Sequence, residues 1–263
     1  MTPAPAGVAL AAGSGTRLRP LTSLRPKALC PVGNVELLDH ALDRLRPHTG
    51  GGASHLAVNA HHLASRIVDH VGGRAHLAVE SPEVLGTAGA LGNLRPWLDG
   101  RDVLVTNADA YLPAGIGDLV TGWDRQRCRL LVVPVDGGGD FVAAGTAVRY
   151  VGACLLPWHL VRRLEPVPSG LYEVLWRAED AAGRLEFVRA GGIAIDCGTP
   201  VDYLRANLHA SGGQPVVGPG AVIEGHLDRC VVWSGAYVGP RERLADCIRA
   251  GTRDQPLTVS AVA

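Results

Sequence analysis

The 263-residue sequence predicts an α/β fold: a mostly parallel sheet flanked by helices, closed by a short left-handed β-helix-like stub. Three observations carry this. Short apolar runs alternate with amphipathic segments over the first half of the chain, the first run empties into a glycine-rich turn, and the last fifty or so residues change texture altogether. Strands buried on both faces read as continuous apolar runs, and strands alternating with helices imply a parallel sheet covered on both sides. Ligands of such sheets gather beyond the carboxyl ends of the strands.

Gly7-Val-Ala-Leu-Ala11 is the first such strand. A helix is predicted from Glu36 to Leu45, because Leu37, Leu38, Ala41, Leu42 and Leu45 share one face. His55–Val58 is a second strand, Leu63–Val71 a second helix, Ala75–Val79 a third strand and Thr87–Leu94 a third helix. Asp102–Asn107 is a fourth strand, followed by helical Ile116–Trp123 and the strand Arg129–Val135. Beyond Gly137 the pattern loosens, with a strand at Tyr150–Leu156, helices at Trp158–Leu164 and Tyr172–Ala181, and strands near Phe187 and Ile193. A helix from Pro200 to Leu208 has Thr199 as its N-cap. In Val216-Val-Gly-Pro-Gly-Ala-Val222 and Val232-Trp-Ser-Gly-Ala-Tyr-Val238, aliphatic residues recur six apart with glycines between, the pattern of hexapeptide coils. Only one or two coils fit, so this tail must lean on the main domain or on another subunit. The organisation is therefore a main unit over 1–210 and a tail over 211–263, whose last dozen residues read as a loose end.

Composition removes several classes of function. With 25 basic and 25 acidic residues the net charge is zero and no long basic run occurs, which argues against a nucleic-acid partner. No apolar run approaches the roughly 20 residues needed to cross a bilayer, and the opening MTPAPAGVALAAGSG lacks the layout of a secretory leader. Six scattered cysteines without a C-x-x-C pair suit reduced, mostly buried thiols and a cytoplasmic protein. The pair His61-His62 has no partner at metal-ligand spacing.

One count stands out: of the 25 basic residues 24 are arginine, and the single lysine is Lys27. Lysine offers a compact, rotatable point charge where arginine presents a planar fork. An ammonium set against phosphate in a tight pocket explains that choice; chance survival at an exposed site is the bland alternative. Upstream lies Leu10-Ala-Ala-Gly-Ser-Gly-Thr-Arg17, a loop of small residues whose backbone N–H groups can nest an anion. It is not the dinucleotide fingerprint, since a third glycine is missing, nor a Walker loop, since Gly-Lys-Ser/Thr is absent. The first absence counts against a dinucleotide-binding dehydrogenase.

Gly13-Ser-Gly-Thr-Arg-Leu-Arg-Pro-Leu-Thr22 followed by Pro26-Lys27 resembles the signature of the sugar nucleotidyltransferases, also called NDP-sugar pyrophosphorylases. Further landmarks stand in the family's order over about residues 7–208: Val58-Asn-Ala-His-His62, Leu85-Gly-Thr-Ala-Gly-Ala-Leu91, Val103-Leu-Val-Thr-Asn-Ala-Asp109 and Ile195-Asp-Cys-Gly-Thr-Pro200. The nearest flavour is that of mannose-1-phosphate guanylyltransferase-like members. The resemblance implies a Rossmann-like nucleotidyltransferase fold and a reaction in which an NTP and a sugar 1-phosphate give an NDP-sugar and pyrophosphate.

It also implies roles. Arg17 would hold the departing phosphates and Lys27 the α-phosphate and the incoming sugar phosphate. Ala11, Ala12, Gly13, Gly15 and Thr16 would contact the nucleotide, with Gly86 and Thr87 closing over the base. Asp109 and Asp196 would ligate Mg²⁺, two hard carboxylates converging from separate strands. Glu80 could accept N1–H and the 2-amino group of guanine, favouring GTP before uracil or thymine nucleotides, or it could be solvated rim. On the sugar side the chain departs from the family, because no E-K-P lysine exists. Arg149 could replace that cation or face solvent; Gly152 is the counterpart of a family glycine; Asn107 could touch the sugar or fix the Asp109 loop. Glu173 could accept a sugar hydroxyl or be a first-turn helix carboxylate. The missing lysine keeps a second reading open, a non-catalytic regulatory relative that binds nucleotide or nucleotide sugar. The stub of coils suggests a homo-oligomer.

Overall fold

A computed structural model describes residues 3–262; Met1, Thr2 and Ala263 lie outside the described residues, as do the corresponding ends of the leader and loose-end readings. The first half follows the predicted alternation. Strand β1 (Ala6–Leu10), helix α1 (Leu37–Thr49), β2 (Leu56–Ala60), α2 (Ala64–Val71), β3 (His76–Val79), α3 (Gly86–Leu98) and β4 (Val103–Asn107) succeed one another. A two-residue strand β5 (Ala110–Tyr111) precedes β6 (Cys128–Pro134), β7 (Thr146–Leu156), β8 (Leu185–Arg189) and β9 (Ile195–Asp196). Helix α4 (Pro200–Ala210) ends this part. The predicted N-cap is present: Thr199 Oγ1 accepts the Asp202 amide at 3.1 Å, with proline in the first turn.

The main sheet has the order β8-β6-β7-β4-β1-β2-β3. Strands β4, β1, β2 and β3 are mutually parallel, so their carboxyl ends share one edge. The sequence order does not reveal that β7 inserts antiparallel between β4 and β6. That insertion brings residues near 150 beside Asn107. Two buried clusters sandwich the sheet, one beneath α1 and α2 around Leu42, Leu56 and Leu104, the other beneath α3 around Leu91, Val105 and Leu130. The helices read at Ile116–Trp123 and Trp158–Leu164 shrink to Gly117–Val120 and Trp158–Val161. Neither short segment offers an apolar stripe of more than one turn, and tertiary packing decides their extent.

The tail is a stack of parallel rungs, β10 (Val216–Val217), β11 (His226–Val232) and β12 (Arg243–Gly251), beside a second pair, Val222–Ile223 on Tyr237–Val238. The loose end is a correction. Residues Pro256–Ser260 form β13, antiparallel on β12, and Ala261 N donates to Asp246 O at 2.9 Å. The outermost rung would otherwise expose a row of unpaired N–H and C=O groups, and β13 caps it.

The tail shares a core with the main body. Val231, Trp233 and Ile248 pack with Leu18, Leu21, Leu37 and Tyr203. Trp233 is 3% exposed and donates its indole N–H to Tyr203 Oη at 3.0 Å, while the Arg25 guanidinium lies 4.4 Å from its ring centroid. Arg25 is two residues from Lys27, so the tail braces the loop carrying the lone lysine. Trp233→Ala is therefore expected to lower unfolding free energy by about 3–5 kcal/mol in denaturant titration. A loss below about 1 kcal/mol would show that the coils are an independent appendage.

Candidate active site

The site assembles at the carboxyl edge of the parallel strands. Beyond β1 the chain runs through Ala11–Ser14 into Gly15 at φ 61°, the start of a short 3₁₀ turn, Thr16–Leu18. Glycine is required there: a Cβ would lie 2.8 Å from Thr22 Cγ2 and 3.0 Å from Lys27 Cβ, and φ is in the left-handed region. Thr22 Oγ1 donates to Gly15 O at 2.9 Å and closes the hairpin against the Lys27 segment. Gly13, Ser14, Thr16 and Arg17 are exposed, leaving the loop open toward the cleft.

Lys27 opens a second 3₁₀ turn and is buried, its side chain 9% exposed. Its Nζ donates to Asp109 Oδ2 at 2.6 Å and to Asp196 Oδ1 at 3.1 Å. The two aspartates reach it from neighbouring backbones. Strand β9 pairs antiparallel with β5, Asp196 opposite Ala110, and the Cys197 amide donates to Asp109 O at 3.0 Å. Burial pulls the Lys27 ammonium down, but Asp109 and then Asp196 outweigh it by charge and hydrogen bonding, so its pKa is raised. Arg17 Nη2 sits 3.2 Å from Asp196 Oδ2, and its guanidinium lies over Gly198, where a Cβ would be 2.7 Å from Nη2. A side chain at Gly198 would displace that guanidinium from Asp196.

Two cavities meet here. The smaller, about 190 Å³, is lined by Ala12, Gly13, Asn59, Gly86 and Thr87 together with Asn107 and Asp109. The larger, about 650 Å³, is lined by Arg17, Arg149, Gly152, Asp196 and Arg205 and again by Asn107 and Asp109. A group held in one cavity can thus meet a group held in the other at Asp109. Gly152, at φ 84° in an irregularity of β7, lets the two strands close: its Cβ would stand 2.9 Å from Ala110 Cβ and 3.2 Å from Asn107 Cβ.

Three residues unassigned in the sequence hold this frame. Asn59 at the end of β2 accepts the Ala11 amide at 2.7 Å and donates to Glu80 Oε1 at 2.7 Å. Buried Arg44 on α1 donates to Thr106 Oγ1 at 2.9 Å and Asn107 O at 3.4 Å, fixing the strand end before Asp109. Burial pushes its guanidinium down to about 10. Gly198 is the third. Asn59 was within reach, since it lies in the landmark Val58–His62; Arg44 borders an apolar helix face and carries no local signal.

Two assignments change. Glu80 is 3% exposed and lines neither cavity; Oε1 accepts from Asn59 and Oε2 from the Leu85 amide at 2.8 Å. Its carboxylate ties β2 to the Gly86 loop, which leaves the guanine argument without its carrier. Glu173 is exposed on a one-turn π-helix, Tyr172–Trp176, and also lines neither cavity. Gly86 has φ 70°, and a Cβ there would meet Ser169 O at 2.5 Å. Ser169 O in turn accepts the Ala88 amide at 3.0 Å, and Thr87 Oγ1 accepts the Leu171 amide at 2.8 Å. The glycines of this loop therefore admit a crossing segment at 165–169, besides bordering the smaller cavity. Arg149 lines the larger cavity and donates to Gly138 O at 3.0 Å. All six cysteines are buried free thiols. Among the described residues no helix is long and apolar enough to cross a membrane.

Comparison with known proteins identifies the family. The nucleotidyl transferase family model matches residues 6–135. N-acetylmuramate alpha-1-phosphate uridylyltransferase of Caulobacter vibrioides is 30% identical over 228 residues, 75% of this chain and 93% of that protein. Mannose-1-phosphate guanylyltransferase of Mycobacterium tuberculosis is 29% identical, over 89% of this chain and 71% of that one. Among solved structures, mannose-1-phosphate geranyltransferase from Thermus thermophilus superposes with a TM-score of 0.69 at 17% identity, covering 97% of this chain and 95% of that chain. The chain belongs to the sugar nucleotidyltransferase family. It is a sugar-1-phosphate nucleotidyltransferase whose family substrates are an NTP and a sugar 1-phosphate.

Proposed function

We propose that the smaller cavity takes the nucleoside triphosphate, the larger one the sugar 1-phosphate, and that reaction occurs where they join at Asp109. The single observation supporting this is the shared wall: Asn107 and Asp109 line both cavities, and Lys27 touches Asp109. A phosphate oxygen of the sugar 1-phosphate attacks the α-phosphorus; the bond to the β-phosphate oxygen breaks and pyrophosphate leaves. Transfer of this kind asks for positioning and charge neutralisation more than covalent help. Arg17, exposed and forked, suits the departing pyrophosphate. Lys27 suits the point between two mutually repelling phosphates, since a compact ammonium can turn from a carboxylate to a phosphate oxygen without a change of backbone.

Asp109 and Asp196 suit Mg²⁺: both are hard oxygen donors, and both already converge on one cationic centre, Lys27 Nζ. When bound, the metal would offset charge on the reacting phosphates. Relatives include both guanylyl- and uridylyltransferases. With Glu80 engaged, guanine loses the acceptor argued for it, so UTP is the first donor to try and GTP the second. The assay measures pyrophosphate released from each NTP with Mg²⁺ and a panel of sugar 1-phosphates. At least one pair is expected to turn over. Nucleotide binding without turnover on the whole panel would favour the regulatory alternative.

A further inference from the structure

The larger cavity is lined by three arginines, Arg17, Arg149 and Arg205, and three aspartates, Asp109, Asp196 and Asp202, and one of these arginines has no carboxylate to meet it among the described residues. One arginine, Arg17, stands with Asp196 at the reacting end. Two others line the same cavity from different elements: Arg149 from strand β7 and Arg205 from helix α4. Among the described residues Arg149 has no carboxylate partner, and Arg205 has only a weak one. Arg149 donates to a backbone carbonyl, Gly138 O, and enters no ion pair among the described residues. Arg205 meets Asp202 at 3.4 Å, an i,i+3 pair with side chains 57% and 34% exposed. Exposed pairs of that kind contribute little and leave the cation free to choose a better anion. Asp202 is further occupied as acceptor of the Thr199 hydroxyl at 2.7 Å.

Both arginines are forked donors suited to planar or tetrahedral oxyanions. Arg205 lies on the helix that begins four residues after Asp196 and lines the same cavity as that aspartate. Arg149 belongs to the strand wall beside Tyr150 and Gly152. A neutral sugar would leave Arg149 solvated, and a lining arginine discriminates only if the ligand carries charge to meet it.

Resting on the nucleotidyltransferase reading above, we propose that the acceptor is an acidic sugar 1-phosphate. Arg205 helps hold its phosphate, and Arg149 pairs with a carboxylate elsewhere on the sugar. Arg149 is then the residue that sets acceptor specificity, and the cavity selects against otherwise identical neutral sugars.

The test compares acceptors that differ only in the carboxylate: glucuronic acid 1-phosphate against glucose 1-phosphate, and N-acetylmuramic acid 1-phosphate against N-acetylglucosamine 1-phosphate. The wild-type kcat/KM is expected to favour the acidic member of at least one pair by about 10–100-fold, the worth of one charge-assisted hydrogen bond. Arg149→Gln should collapse that preference to within about threefold, mostly through KM, and Arg149→Lys should restore part of it. Residual turnover of a neutral acceptor certifies that the variant is folded. Equal or better use of the neutral members, or a preference that survives Arg149→Gln, overturns this proposal while the nucleotidyltransferase reading stands. Silence with all four acceptors and every NTP overturns both.

Discussion

Lys27→Arg is expected to lower kcat for pyrophosphate release by about 10²–10³-fold although the charge is retained, an effect of the size seen when one preorganised charge-stabilising donor is lost. The lysine side chain is 9% exposed and its Nζ lies 2.6 Å and 3.1 Å from two carboxylates. Its Cβ also abuts the Gly15 turn. A guanidinium is wider, planar and longer, so it must either displace the glycine hairpin or present its fork to one aspartate alone. Protonation does not complicate the comparison. The folded pKa is raised, so the ammonium's contribution to stability is complete below the unfolded value of about 10.4 and is lost only as pH rises through the folded value above it. Steady-state rates at neutral pH with saturating NTP check the prediction. Rates within threefold of wild type would mean that charge alone is needed, and the singularity of this lysine would have no mechanistic meaning.

The parallel strands β1 to β4, the first three helices and the glycine loop were legible because their signals are local: apolar runs of strand length, one apolar helix face and a turn that only glycine allows. The convergence of Asp109 and Asp196 was different. Neither aspartate differs from a turn residue by itself, and only the order of the motifs implied that they meet. The pairing of β9 with β5 supplies the physical reason. What stayed hidden depends on contacts between distant segments. Glu80 read as an available carboxylate because its two partners, Asn59 and the Leu85 amide, become neighbours only when β2, β3 and the Gly86 loop are assembled. The insertion of β7 between β4 and β6 is of the same kind, and so is Arg205, which a helical pattern alone classes as a solvated charge.

The tail and the site are linked by a similar nonlocal argument. Arg25 stacks on Trp233, and Pro31 O accepts from both Tyr203 and Asn207, so the chain on either side of Lys27 is held by the tail and by α4. A loop that must present a buried ammonium to two carboxylates needs such support, because the position of Nζ is only as well defined as the backbone beneath it. The coils thus brace the segment that carries Lys27 through Trp233, Arg25 and Tyr203.

Asp109→Asn is expected to cost more than any other single change, at least about 10³-fold in kcat/KM, because Asp109 is common to both cavities and to Lys27. The amide is nearly isosteric and can still accept one hydrogen bond, so the fold should persist. Its loss of charge should weaken divalent cation binding, which Mn²⁺ titration by electron paramagnetic resonance measures without any turnover. The apparent affinity should fall about 10–100-fold. Asp196→Asn should act in the same direction but more weakly on Lys27, whose closer contact is with Asp109. If Mn²⁺ bound Asp109→Asn as tightly as wild type while activity vanished, the carboxylate would act through Lys27 alone. The cation would then have to be held elsewhere, and the account of the paired aspartates as metal ligands would be wrong.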